Sequence, residues 1–229
     1  VANSTELTAV AANVLGMPLI SVVNSMRYLR EAGMVSKSGR GTSAAQMTVE
    51  DTVILLASLT GSEQIKNSAE VANKVLSLRA GPATVRALSR MQPRFGERLP
   101  PNDRPQKLLA LEEAHTFKDV LIRLFEITAD EADETKNLWH PRLFRDRDMD
   151  RAIAAPEIRV RVFYPRFSAS IEVRIPKYWI ESRVYGRGPN ATARMMSNEF
   201  PRDRSGDLVS VHEFSERTIQ KLSRLLMIS

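Results

Sequence analysis

The first hundred residues alternate between runs of helical period and short breaks marked by glycine, proline or polar residues. From Glu6 to Leu15 the apolar positions Leu7, Val10, Ala11, Val14 and Leu15 fall on one side of a 3.6-residue repeat, which predicts an amphipathic helix capped by Thr5. Gly16-Met17-Pro18 ends that helix, because glycine accepts a left-handed exit and proline cannot continue the turn. A second helix is predicted from about Ile20 or Ser21 to Ala32, burying Val22, Val23, Met26 and Leu29 and stopping at Gly33. The period then changes: 34–37 reads as a short strand, 38–43 as a flexible tip and 44–47 as a returning strand. Thr48 and Asp51 have the spacing of a capping box ahead of the apolar helix Val53 to Leu59. Further helices are expected from Ser68 to Arg79, presenting Val71, Val75, Leu76 and Leu78, and again after Pro82.

Pro93, Pro100, Pro101, Pro105 and Gly96 crowd the stretch 91–105, which reads as an irregular linker and a domain boundary. Residues 106–127 return to helical period, with a break near Thr116 and with Leu108, Leu109, Leu111, Val120, Leu121, Leu124 and Phe125 as apolar positions. The pattern then switches to period two. Ile158, Val160 and Val162 alternate with Arg159, Arg161 and Phe163, and Ile171, Val173 and Ile175 alternate with Glu172 and Arg174, which predicts two strands joined as an antiparallel hairpin. Strands are also expected near 178–185 and 207–212, followed by a closing helix capped by Ser215 with Ile219, Leu222, Leu225 and Leu226 inward. The expected class is α+β, divided into a mainly helical unit over 1–62, a helical connector and Pro-rich linker over 63–104, and an antiparallel sheet with packed helices over 105–229.

Composition narrows the function classes. A chain of 229 residues with 43% hydrophobic and 26% charged positions has the make-up of a soluble globular protein, and no apolar run approaches the length of a membrane span. The absence of cysteine excludes disulfides, thiolate metal sites and thiol catalysis, and with the lack of a secretion signal in residues 1–6 it leads to the expectation of a cytoplasmic protein. His115, His140 and His212 lack metal-ligand spacing, so neither a metal nor a cofactor is expected. Charge is unevenly placed: 11 basic against 7 acidic side chains in 1–100, 8 against 12 in 101–150, and 14 against 8 in 151–229. Two basic ends favour a polyanionic partner, since each cation set near a phosphate releases condensed counterions.

The opening segment resembles a helix-turn-helix, and together with residues 34–47 it resembles the winged helix-turn-helix of bacterial and phage regulators. The matching residues are Ala12, small at the helix crossing, Leu15 and Met17 around the turn, Gly16 at the turn and Val22 on the second helix. The stretch 29–35 is similar to the end of a recognition helix entering a wing strand, and 37–45 to the wing itself. The resemblance covers about 50 residues and implies a helix 20–32 that reads the major groove and a wing 34–47 on the backbone or minor groove. Ser21, Asn24, Ser25, Arg27, Tyr28 and Arg30 are then the candidate DNA-binding residues of the helix, and Lys37 and Arg40 those of the wing. Asn24 and Arg27 are the best placed by chemistry, because they make bidentate pairs with adenine and guanine. An ordinary αα-hairpin used for packing accounts for the same pattern.

Other motifs carry less. Asp146, Asp148, Asp150 and Glu157 have calcium-loop spacing, but Arg151 stands where the loop needs glycine, and the segment reads as a charged solvated loop. Gly39-Arg40-Gly41 and Gly186-Arg187-Gly188-Pro189 place an arginine between flexible residues, as a minor-groove contact or a plain surface turn. Arg159, Arg161, Arg166 and Arg174 would either track a phosphate backbone or pair across strands with Glu172. The acidic residues of Glu112-Glu113-x-His115 and Asp130-Glu131-x-Asp133-Glu134 read as decoration of helix surfaces or helix starts, His212 as a structural imidazole in a strand, and no catalytic signature occurs.

The expectation is therefore a non-enzymatic, sequence-specific DNA-binding transcription regulator of repressor type, acting as a homodimer on double-stranded DNA, with no membrane association and an unassigned effector. A phage DNA-packaging or plasmid-partition adaptor that assembles into a higher oligomer, and an interaction scaffold, are the alternatives.

Overall fold

The structure is a computed structural model that describes residues 2–36, 46–61, 64–81, 84–87, 115–129, 157–164, 167–175, 179–186 and 210–227. Helix α1 (Ser4–Leu15) starts earlier than expected because Asn3, not Thr5, is its cap. The Asn3 side chain accepts from the Thr5 and Glu6 N–H groups, and the Glu6 carboxylate accepts from Asn3 N–H. Gly16 ends the helix at φ 64°, the left-handed exit the sequence implied. Helix α2 (Leu19–Glu31) begins after Pro18, whose ring presets the φ of −58° at the cap position.

Helix α3 (Val49–Gly61) opens with the expected box: Asp51 N–H donates to the Thr48 hydroxyl at 3.1 Å and Thr48 N–H donates to the Asp51 carboxylate at 2.9 Å. Every residue from Asp51 to Gly61 is buried. Its hydroxyls tolerate this because they bond back along the helix, Thr52 to Thr48 O, Ser58 to Leu55 O and Thr60 to Leu56 O. A helix apolar all round must be covered on several sides, and α3 is. It packs on α2 and, across Gly61, on α4 (Ser68–Leu76), which follows a 3-10 turn, Ile65–Asn67. A Cβ at Gly61 would stand 2.7 Å from Val71 Cγ1 and 2.9 Å from Val75 Cγ2, so the crossing is closed to any larger residue without repacking.

Two expectations fail after α4. The helix stops before Arg79, because Arg79 and Ala80 leave as extended bridges to Thr116 and Tyr185. The segment after Pro82 is a strand, β1 (Thr84–Ala87), and not a helix; its antiparallel pairing with a distant strand outweighs local preference.

Helix α5 (Phe117–Ala129) is followed by β2 (Glu157–Tyr164), β3 (Ser168–Ile175), β4 (Trp179–Tyr185), β5 (Ser210–Ser215) and α6 (Glu216–Met227). The strands form one antiparallel sheet in the order β1-β4-β3-β2-β5. The period-two reading holds on β2, where Ile158, Val160 and Val162 are buried opposite Val173, Ile171 and Ala169 of β3. Val160 also faces buried Phe214 of β5, and the first three residues of the strand expected over 207–212 lie outside the described residues. Helices α3 and α6 pack on β2 and β5, α5 packs on α3 and α6, and α1 rests on α6.

The described residues share one apolar core running from Leu7 on α1 through α3 and the sheet to Leu222 on α6. The expected boundary at 62 therefore does not separate two cores: α3, assigned to the N-terminal unit, is the layer between α2 and the sheet. The Pro-rich stretch 91–105 and the positions Leu108, Leu109 and Leu111 lie outside the described residues. Among the described residues no helix is long and apolar enough to cross a membrane.

Candidate nucleic-acid interface

The corner made by α1, Gly16 and α2 presents one face of α2 outward. Val22, Ser25, Met26 and Leu29 form its buried stripe, against α1, α3, α4 and the 3-10 turn. The uncovered side carries Leu19, Ile20 and Val23, exposed by 51%, 65% and 42%, and then exposed Arg27 and Glu31. Ser21, Asn24, Tyr28 and Arg30 flank that face, each half-buried.

Two sequence expectations are corrected here. Val23 is exposed, because at 100° per residue it lies roughly 110° round the helix from the middle of the buried stripe. Ser25 is 2% exposed and sits inside the stripe, its hydroxyl 3.1 Å from that of Ser68 at the start of α4. That bond satisfies a polar group which burial would otherwise penalise, and it takes Ser25 off the outward face. Arg30 points partly back into the protein, with its Nε buried and without a hydrogen-bond partner.

Arg27 is held loosely. Its Nε lies 3.4 Å from Glu31 Oε1 with both side chains more than half exposed, and its guanidinium sits 5.0 Å over the Tyr28 ring. An exposed ion pair of this kind contributes at most about 1 kcal/mol, so a phosphate or guanine could take the guanidinium at small cost.

Of the wing expected over 34–47, only the ends, 34–36 and 46–47, are among the described residues. Residues 34–36 and 46–48 carry no strand, and Lys37 and Arg40 lie outside the described residues. What joins the two ends is Asp51, 3% exposed, whose carboxylate accepts from Ser36 N–H at 2.9 Å, Ser36 Oγ at 3.0 Å, Thr48 N–H at 2.9 Å and Thr48 Oγ1 at 3.0 Å. Met47 N–H adds a bond to Ala2 O at 2.9 Å. The base of the segment is thus clamped by a side chain the sequence marked only as a helix cap. Ser36, fifteen residues upstream, gave no sign of being its partner, because that contact exists only after the chain has turned back.

The arginines of the sheet are differently placed. Arg161 donates to Glu213 at 2.6 Å, Arg159 lies 3.9 Å from Glu157 and opposite Glu172, and Arg174 stands opposite Glu157. Arg161 is thus paired across strands, Arg159 approaches a carboxylate of its own strand, and Arg174 has its Nε buried without a hydrogen-bond partner; Arg166 lies outside the described residues. Glu157 opens β2, while the rest of the calcium-loop spacing and Arg187 to Pro189 also lie outside them.

His115 lies in the interior. It is 6% exposed, its Nε2 lies 3.0 Å from the Tyr185 hydroxyl, and Tyr185 stacks edge-on with both His115 and Phe117. The pair fixes the start of α5 against β4. Just beyond it, Thr116 N–H and hydroxyl both donate to the Asp119 carboxylate at 2.7 Å, which holds Asp119 below the usual carboxylate range, with burial opposing and His115 and Lys118 adding to the lowering. Among the described residues no group of three or more histidines and carboxylates could hold a metal ion.

No family model matches this chain, and neither a curated protein nor a solved structure is found to be similar to it.

Proposed function

We propose that this chain is a non-enzymatic DNA-binding regulator that places α2 in the major groove of a duplex. The observation that carries the reading is the outward face of α2: a 13-residue helix, braced along its other side by α1, α3 and α4, with Asn24, Arg27 and Tyr28 next to one another on or beside the open face. A rod about 20 Å long fits a groove about 12 Å wide, and its side chains supply both bidentate readers of purines. The net charge of +6 supports a polyanionic partner. One such helix reads only a few base pairs, so the working unit is a twofold dimer whose half-site spacing multiplies specificity.

The test is a salt-dependent mobility shift with random-sequence duplex and with duplexes selected from it. Arg27→Ala should weaken binding to selected duplex by about ten-fold or more with unchanged folding, and Asn24→Ala should relax sequence preference. Retention that is identical in wild type and in the double variant, or absent at low salt, would refute the reading.

A second reading is favoured by one observation, the exposure of Leu19, Ile20 and Val23 together. Such a cluster is also what an interaction scaffold, or an adaptor that assembles into a ring, uses to hold a protein partner. Solution mass separates these cases, since a ring of many copies excludes a simple repressor dimer.

A further inference from the structure

We propose that Ile20 and Val23 are specificity residues that pack on thymine C5-methyl groups in the groove α2 enters, so that the target carries thymine at fixed positions. The inference rests on the DNA-binding reading above and adds the base that is read. Four large hydrophobic side chains are exposed among the described residues, and three of them, Leu19, Ile20 and Val23, lie within five positions at the start of α2; the fourth, Val211, is on β5. Of the base edges in the major groove, only thymine presents an apolar group.

The spacing matches that chemistry. Ile20 precedes Asn24 by one helical turn, and Val23 precedes Arg27 by one turn, so each apolar side chain stands about 6 Å from one that hydrogen-bonds a purine. Asn24 on adenine N6 and N7 leaves a thymine methyl in the same groove within reach of Ile20. Arg27 on guanine O6 and N7 leaves Val23 for a thymine on a neighbouring step. Charge selects nucleic acid over a second copy of this chain as the occupant. The helix has no acidic residue in its first turn and carries Arg27 and Arg30 against Glu31, with exposed Lys66 on the turn packed beside it. A twofold pairing of this face would set like arginines against each other.

The probe is deoxyuridine, which deletes the methyl group and keeps every hydrogen bond of thymine. Duplexes selected by the full chain from a random-sequence pool are resynthesised with each thymine replaced in turn. One or two replacements should weaken binding about four-fold each, the effect of one buried methyl-sized group. Ile20→Ala and Val23→Ala, at exposed positions that leave the fold intact, should still bind DNA through Arg27 but lose that thymine–uracil difference. Selected sites without a recurrent thymine, or replacements without effect, overturn this inference while the DNA-binding reading stands. Discrimination that survives in both variants overturns it too and leaves the apolar residues to a protein partner. Failure to retain any duplex at low salt overturns both.

Discussion

Helices α2 and α3 have the same length, 13 residues, and lie against each other, yet their surroundings are opposite. Helix α3 is covered on all sides from Asp51 to Gly61, and even its hydroxyls bond back to its own carbonyls. Helix α2 buries only a stripe and leaves Leu19, Ile20 and Val23 in the open. Hydrophobicity alone therefore does not locate the interior of this protein. The informative difference is that the apolar residues of α3 encircle the helix, whereas those at the start of α2 extend beyond the arc that its neighbours cover, which is where a partner surface is to be sought.

The sharpest way to break this contrast is to truncate an apolar side chain in each helix. Leu56→Ala, at a position with 0% exposure, should cost about 2–5 kcal/mol by urea unfolding, because it removes packing on α3 and leaves a cavity in the shared core. A cost below about 1 kcal/mol would mean that α3 is not the central layer. Next in size is Asp51→Asn, which faces an amide against donors that now meet a carboxylate; a loss of about 1–3 kcal/mol is expected. Weaker protection of the Ser36 and Thr48 amides from hydrogen exchange should accompany it, and unchanged protection there would remove Asp51 as the clamp.

A smaller effect comes from Asp119, whose pKa is lowered by its bonds to Thr116. A carboxyl lowered by folding contributes stability that is present above its ordinary pKa of about 4 and is lost as pH falls through the lowered value. Asp119→Asn should therefore reduce stability at neutral pH by on the order of 0.5 kcal/mol after screening, and the two proteins should converge as pH falls through the lowered value. A difference that persists undiminished in acid would place the effect in packing. Smallest of all, Val23→Ser should change stability by less than about 0.5 kcal/mol, the range of ordinary surface sites. A cost as large as that of Leu56→Ala would show that Val23 is covered and would remove the open face from the comparison.

Short-range physics was readable in advance. Gly16 and Pro18 mark the corner because glycine admits the left-handed exit and proline fixes its own φ, the Thr48–Asp51 box sits three residues apart within one turn, and the alternation on β2 has only one burial solution. The candidate site was readable as a helix but not as a face. Val23 and Ser25 exchanged their expected places because the packing direction of α2 is set by α3 and α4, whose approach the local pattern does not contain. The burial of His115 had no local signal, because Tyr185, seventy positions later, supplies the contact that holds it.

By itself the sequence determined most of the helices, the Gly16 exit and the Thr48–Asp51 box, the hairpin of β2 and β3, and a basic, cysteine-free chain, since each of these depends on composition or on neighbours within a turn or a pleat. The tertiary structure decided that the N-terminal helices and the sheet share one core, that 84–87 is an edge strand, and that α2 offers Ile20, Val23 and Arg27 outward. Those outcomes depend on which distant surfaces meet, and burial energy is settled by that meeting.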